Sequence, residues 1–168
     1  TISASRGTIY DRNGNILAIS ATADTVFLDP NAVARRAAEL DKKRAEKMAE
    51  GLKEGEALPM TGEAYKELIV TELSRILDIS EETVRTRMER TQSQYEILKK
   101  QVEKEVGDQV RSFITDNATG ESIQGVHLQV DAKRYYPYSS VAAHVLGFLN
   151  SDSQGAYGLE AIYNEELE

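Results

Sequence analysis

Apolar positions change period several times along the chain. Thr8, Ile9 and Tyr10, then Ile16, Leu17, Ala18 and Ile19, form two strand-like runs around Asp11-Arg12-Asn13-Gly14. Asp at the first turn position and Gly at the fourth suit a type I turn, and Asn13 and Gly14 tolerate positive φ, so the stretch reads as a bulged hairpin. Residues 24–30 read as a third strand. It runs into Asp29 as an N-cap and Pro30 at the first helical position. A helix over 30–52 follows, with Val33, Ala37, Leu40, Met48 and Leu52 as its apolar positions. A second helix over 63–77 carries Tyr65, Leu68, Ile69, Leu73, Ile76 and Leu77 on one face. Ser80 caps a third, with Ile79 and Val84 at the spacing of a hydrophobic staple.

Residues 95–99 read as a short strand, and Val102, Val106, Val110, Phe113 and Ile114 as the face of a fourth helix. Residues 125–133 then alternate, with Val126, Leu128 and Val130 on one face and His127, Gln129 and Asp131 on the other. A helix over 140–149 and a helix start near Gly158 close the pattern. The order predicts an α+β fold. A small β-containing base comes from both ends of the chain, 1–30 and 120–168, with an inserted, mainly helical lobe, 31–119.

Charge follows the same division. Residues 32–119 carry 16 Lys and Arg against 18 Asp and Glu, whereas the flanks carry 4 against 10. The middle therefore reads as solvated helix faces dense in both signs, a surface able to select a partner. With 168 residues and a formal net charge of −8, a nucleic-acid partner is not expected. The absence of Cys removes thiolate zinc sites and thiol nucleophiles. No apolar run is long enough to span a membrane. The chain opens at Thr1 without Met and reads as an excised piece.

Catalytic chemistry is sparse. His127 and His144 have no partner His at metal-ligand spacing, and no nucleophile elbow or phosphate-binding glycine loop is present. The run 11–15 mimics the start of a calcium loop, but its Gly comes too early and Thr22 stands where the bidentate Glu belongs. No cofactor is expected.

Three stretches carry a resemblance. Residues 6–18, "RGTIYDRNGNILA", hold Arg6, Gly7, Asp11, Arg12 and Gly14. Residues 134–139, "RYYPYS", hold Arg134, Tyr136 and Pro137, and residues 155–160, "GAYGLE", hold Gly155, Gly158 and Glu160. In this order they resemble the three motifs of the N-terminal, non-catalytic module of class B penicillin-binding proteins, in the division and sporulation branch. Residues 142–150 resemble the family's segment between the last two motifs. Ser139 departs from the pattern, which has Gly there. The resemblance covers 1–30 and 125–168 well and the middle in outline.

The resemblance implies a dimerisation or pedestal module that follows a single membrane anchor and precedes a transpeptidase domain. The anchor would be its only link to the membrane. The family's Ser-x-x-Lys, Ser-x-Asn and Lys-Thr-Gly do not occur in these residues, so the piece reads as non-enzymatic. The implied location is the extracytoplasmic face of the bacterial membrane, in peptidoglycan synthesis. The implied partners are the chain's own transpeptidase domain, a multipass glycan polymerase and other cell-wall assembly proteins. An independent extracytoplasmic binding domain and a small acidic-cleft hydrolase are the competing readings.

The hairpin explains its turn but not its charges. The resemblance suggests that Arg6, Asp11 and Arg12 join the later motifs in one polar cluster, with Arg6, Arg134 and Glu160 converging. Two guanidiniums on one carboxylate call for a second acid, Asp11 or Asp131. Exposed pairs of this kind are worth about 0–1 kcal/mol each, whereas a buried set must be fully paired.

Overall fold

The Asp11 carboxylate organises the hairpin turn. It accepts from the amides of Asn13 and Asn15 at 2.8 Å each and from Asn15 Nδ2 at 2.8 Å. The Gly14 amide closes the turn on Asp11 O at 3.0 Å, with Gly14 at φ 84°, a conformation open to glycine. The turn joins β1 (Ile9–Tyr10) to β2 (Ile16–Leu28), paired antiparallel as Ile9 with Ala18 and Tyr10 with Ile16 across a bulge. The computed structural model describes residues 6–51, 56–117, 122–138, 143–150 and 154–167.

The fold is α+β, and the chain divides into two compact units, residues 1–23 with 130–168 and residues 24–129. The divisions fall inside β2 and β4 (Val126–Tyr135), whereas the sequence pattern changes near residues 30 and 120, where strands give way to helices. The sequence also read β2 as two strands split over 20–23. Instead it is one continuous strand of 13 residues, because it pairs with β1, β3 and β4.

Unit 24–129 is built on an apolar core. Asp29 accepts from the Ala32 amide at 2.9 Å and starts α1 (Pro30–Glu50), which ends at Gly51. Thr61 caps α2 (Gly62–Leu77), and Ser80 caps α3 (Glu81–Met88) by accepting from the Thr83 amide at 3.2 Å. β3 (Glu96–Val102) pairs antiparallel with β2, Asp24 opposite Val102 and Leu28 opposite Glu96. It leads into α4 (Lys104–Thr115). Val102, read as the start of the α4 face, is instead a buried β3 residue.

Val33, Ala37 and Leu40 from α1 meet Tyr65, Ile69, Leu73 and Leu77 from α2, over Val26, Leu28 and Val126 from the sheet. Burying each large aliphatic side chain contributes about 1.5–3 kcal/mol. Met48, expected on the apolar face of α1, is 63% exposed, because α1 runs several turns past its last core residue, Leu40. Leu52 lies outside the described residues. The Tyr65 hydroxyl satisfies its buried position by donating to Gln124 O at 3.0 Å and accepting from the Gln124 amide at 2.8 Å. On β4 the alternation holds from Val126 to Gln129 and then fails: Val130, expected inward, is 59% exposed.

The unit formed by 1–23 and 130–168 is different. Besides its strand segments it holds α5 (Ala143–Leu146), α6 (Gly158–Ile162) and α7 (Asn164–Leu167). Of the helix expected over 140–149, only α5 is seen, and 140–142 lie outside the described residues. Among its described residues the buried apolar side chains are few and small apart from Leu146, and the largest fully buried side chain is Glu160. Among the described residues no helix is long and apolar enough to cross a membrane.

Leu73→Ala should cost about 2–5 kcal/mol in urea unfolding, because the site is closed on every side. Met48→Ala should stay within about 0.5 kcal/mol.

Candidate functional site

Arg6 precedes β1, Arg134 lies near the end of β4, and Glu160 lies in α6. They meet although 154 positions separate the first from the last. Arg6 Nε donates to Glu160 Oε2 at 2.7 Å, and Arg134 Nε donates to Glu160 Oε1 at 2.8 Å. The side chains are 6%, 5% and 0% exposed, so this is a buried set in which every lone pair matters. The Tyr136 hydroxyl adds a third donor, to Glu160 Oε1 at 3.2 Å. Arginine suits both places because its rigid fork stays charged and donates in several directions at once.

The expected second acid is replaced by neutral acceptors. Arg6 Nη2 donates to Glu160 O at 2.7 Å and Arg6 Nη1 to Asn164 Oδ1 at 2.9 Å. Arg134 Nη1 donates to Gly7 O at 2.7 Å, to Ser20 Oγ at 3.2 Å and to Arg6 O at 3.3 Å. Asp11 is committed to the hairpin turn. Asp131 Oδ1 accepts from the Ala132 amide at 2.8 Å. Arg134 Nη2 is buried and has no acceptor among the described residues.

The remaining motif residues divide in two. Gly7 belongs to the network: its carbonyl faces Arg134, and its amide donates to Leu167 O at 2.7 Å. The Gly155 amide donates to Asn164 Oδ1 at 2.8 Å, and a Cβ at Gly155 would overlap the Glu160 carbonyl, so only glycine admits this approach. Gly158 opens α6 against the 145–147 segment. Gly14 serves the turn alone. Arg12 is exposed and makes no hydrogen bond or ion pair among the described residues, and Pro137 is an exposed turn residue. Ser139 and the His144 side chain lie outside the described residues.

Asn164 was missed. It binds Arg6 and Gly155 together, and its one sequence signal is its place four residues after Glu160, one helical turn on. Ser20, also missed, faces Arg134 from β2.

The geometry holds segments together. The Glu160 carboxylate is fully buried, with Oε1 accepting from Arg134 Nε and the Tyr136 hydroxyl and Oε2 accepting from Arg6 Nε. Among the described residues no three acidic or His side chains converge to hold a metal. His127 stacks on Phe27 at 5.3 Å, a packing role.

Burial pushes the Tyr136 hydroxyl up to about 12 from 10.0, and the Glu160 negative charge adds to the shift. Folded Tyr136 thus keeps a proton that the unfolded chain loses first. Its contribution to stability is complete below pH 10.0 and is lost as pH rises toward about 12. Tyr136→Phe should lower stability by about 1–3 kcal/mol at neutral pH. Urea midpoints measured across that alkaline range should show the gap between the variant and the original closing.

The family model for the Penicillin-binding Protein dimerisation domain matches residues 1–168. Peptidoglycan D,D-transpeptidase FtsI of Escherichia coli strain K12 is 28% identical over 167 residues, which are 99% of this chain and 23% of FtsI. Stage V sporulation protein D of Bacillus subtilis is 29% identical over 164 residues, 96% of this chain and 20% of that protein. Among solved structures, penicillin binding protein 2X from Streptococcus thermophilus shares the fold with a TM-score of 0.57 at 22% identity, covering 99% of this chain and 23% of that one. A complex between penicillin-binding protein PBP2 and MreC from Helicobacter pylori matches with a TM-score of 0.57 at 21% identity, covering 99% of this chain and 28% of that one. The chain thus spans about a quarter or less of the curated relatives it matches. It belongs to the penicillin-binding protein dimerisation domain family.

Proposed function

We propose that this chain is the non-catalytic positioning and interaction module of a membrane-anchored peptidoglycan transpeptidase. It would work at the extracytoplasmic face of the membrane, holding the parent's transpeptidase domain and contacting cell-wall assembly proteins, a multipass glycan polymerase among them. The observation that carries this reading is the network in which Arg6, Arg134 and Glu160, one from each motif, close on one another without a free catalytic group. Its chemistry is that of a clamp.

The surface of the same unit supports the reading. Val145, Phe148, Tyr157, Ile162 and Tyr163 are each at least half exposed. Their segments adjoin, since Ala156 donates to Phe148 O at 2.9 Å and Leu149 bridges Gly155. Clustered exposed apolar side chains mark an interaction face, and the parent's next domain is the natural cover. Partner contact is in keeping with the PBP2 neighbour, which forms a complex with MreC.

Fluorescent penicillin should leave this chain unlabelled while labelling the parent's separately produced transpeptidase domain. That domain should co-purify with the chain, and Phe148→Asp with Tyr157→Asp should weaken the association about tenfold or more, as loss of central apolar contacts does. Stoichiometric labelling of the chain, or association indifferent to both substitutions, would contradict the proposal.

A further inference from the structure

Helices α2 and α4, both in the 24–129 unit, leave between them a groove of about 550 Å³. Leu68, Ile76 and Phe113 supply its apolar floor, the last two nearly buried. The rim is one-sided in charge, with the carboxylates Glu72, Glu105, Asp108 and Asp116 against a single lining cation, Arg75. Arg75 is already bound to Glu72 at 2.6 Å, and Asp108 to Lys104 at 2.9 Å and Arg111 at 3.0 Å. Neither Glu105 nor Asp116 makes an ion pair among the described residues, although the Glu105 charge acts on the Lys104 ammonium that Asp108 holds.

Asp116 is the more telling of the two. It is the C-cap of α4, where the backbone carbonyls already concentrate negative charge, and the last turn of α4 holds no basic residue. The fold therefore keeps an unfavourable charge at one end of the groove, and Glu105 stands at the other. Eleven positions at 1.5 Å each separate them by about 16 Å, roughly three turns of a helix.

We propose that this groove docks a basic amphipathic helix of a partner protein. Its apolar side chains lie over Leu68, Ile76 and Phe113, and its lysines or arginines meet Glu105 and Asp116. The separation of the two carboxylates excludes a shared metal ion, and the net charge of −8 opposes anionic lipid and nucleic acid. The inference rests on the reading of the chain as an interaction module and names the surface and the partner chemistry.

The probe is a synthetic helix-forming peptide of about twelve residues with Lys on one face and Leu on the other, about three turns. Its control is a scrambled peptide of the same composition. Titrated into the isotope-labelled chain, the amphipathic peptide should shift amide resonances confined to α2 and α4, and added salt should weaken it. The double variant Glu105→Gln with Asp116→Asn should bind about tenfold more weakly, as loss of two complementary charges does. Asp116→Asn alone should raise the urea midpoint while lowering affinity, a combination that a merely structural aspartate does not give. Equal binding of the scrambled peptide, shifts spread over the surface, unsaturable titration or variants with unchanged affinity would each overturn the groove. Association with the transpeptidase domain involves residues of the other unit, so it decides the broader reading separately.

Discussion

A carboxylate with no exposure must have its charge and its lone pairs met inside the protein. The cost of leaving it unmet is several kcal/mol. Glu160 imposes that requirement on the unit made from both ends of the chain. Its two oxygens draw Arg6 and Arg134 inward, and the two guanidiniums then need acceptors of their own. The carbonyls of Arg6, Gly7 and Glu160, with Asn164 and Ser20, supply them for every guanidinium nitrogen but Arg134 Nη2 among the described residues. Gly155 lacks a side chain because the Glu160 carbonyl occupies its place. Each motif residue in the network is thus explained by one buried negative charge.

The two units use different physics. Residues 24–129 follow the usual course, with capped amphipathic helices over a sheet and apolar side chains at the centre. Their ion pairs are mostly exposed neighbours on helix faces, such as Lys104 with Asp108, and each contributes little. The terminal unit exposes Phe148, Tyr157 and Ile162 and buries the charged side chains of Arg6, Arg134 and Glu160. A polar interior specifies which segments meet, because only this set brings both guanidiniums onto the Glu160 carboxylate. The apolar exterior leaves a surface for something else to cover. This division of labour suits the positioning role proposed for the chain.

Much of this was legible in the letters. Local rules located the Asp11–Gly14 turn, the Asp29 and Ser80 caps and the faces of α2 and β4 as far as Gln129, because each depends on neighbours within a few residues. The meeting of Arg6, Arg134 and Glu160 was legible only through the resemblance. The continuity of β2 was not, since small residues over 20–23 stay extended through pairing with distant strands. Nor was the identity of the charge-balancing groups. In place of the expected second acid stand backbone oxygens, which every residue carries and no letter announces, with the neutral side chains of Asn164 and Ser20. Asp11 looked like a cluster member by its charge, but its short side chain caps its own turn first.

A double-mutant cycle on Arg6 and Glu160 is the most direct test of the buried network. The chain has no Trp, and six of its eight Tyr lie in the terminal unit, so tyrosine absorbance in urea reports mainly on that unit. Glu160→Ala strands two buried guanidiniums and should cost about 3–5 kcal/mol, more than Arg6→Ala, which leaves Arg134 on the carboxylate. With Arg6 already removed, Glu160→Ala strands only one guanidinium, so the double variant should fall short of the sum of the singles by about 1–3 kcal/mol. Small, strictly additive effects would show that the terminal unit does not depend on Glu160, and would contradict the account.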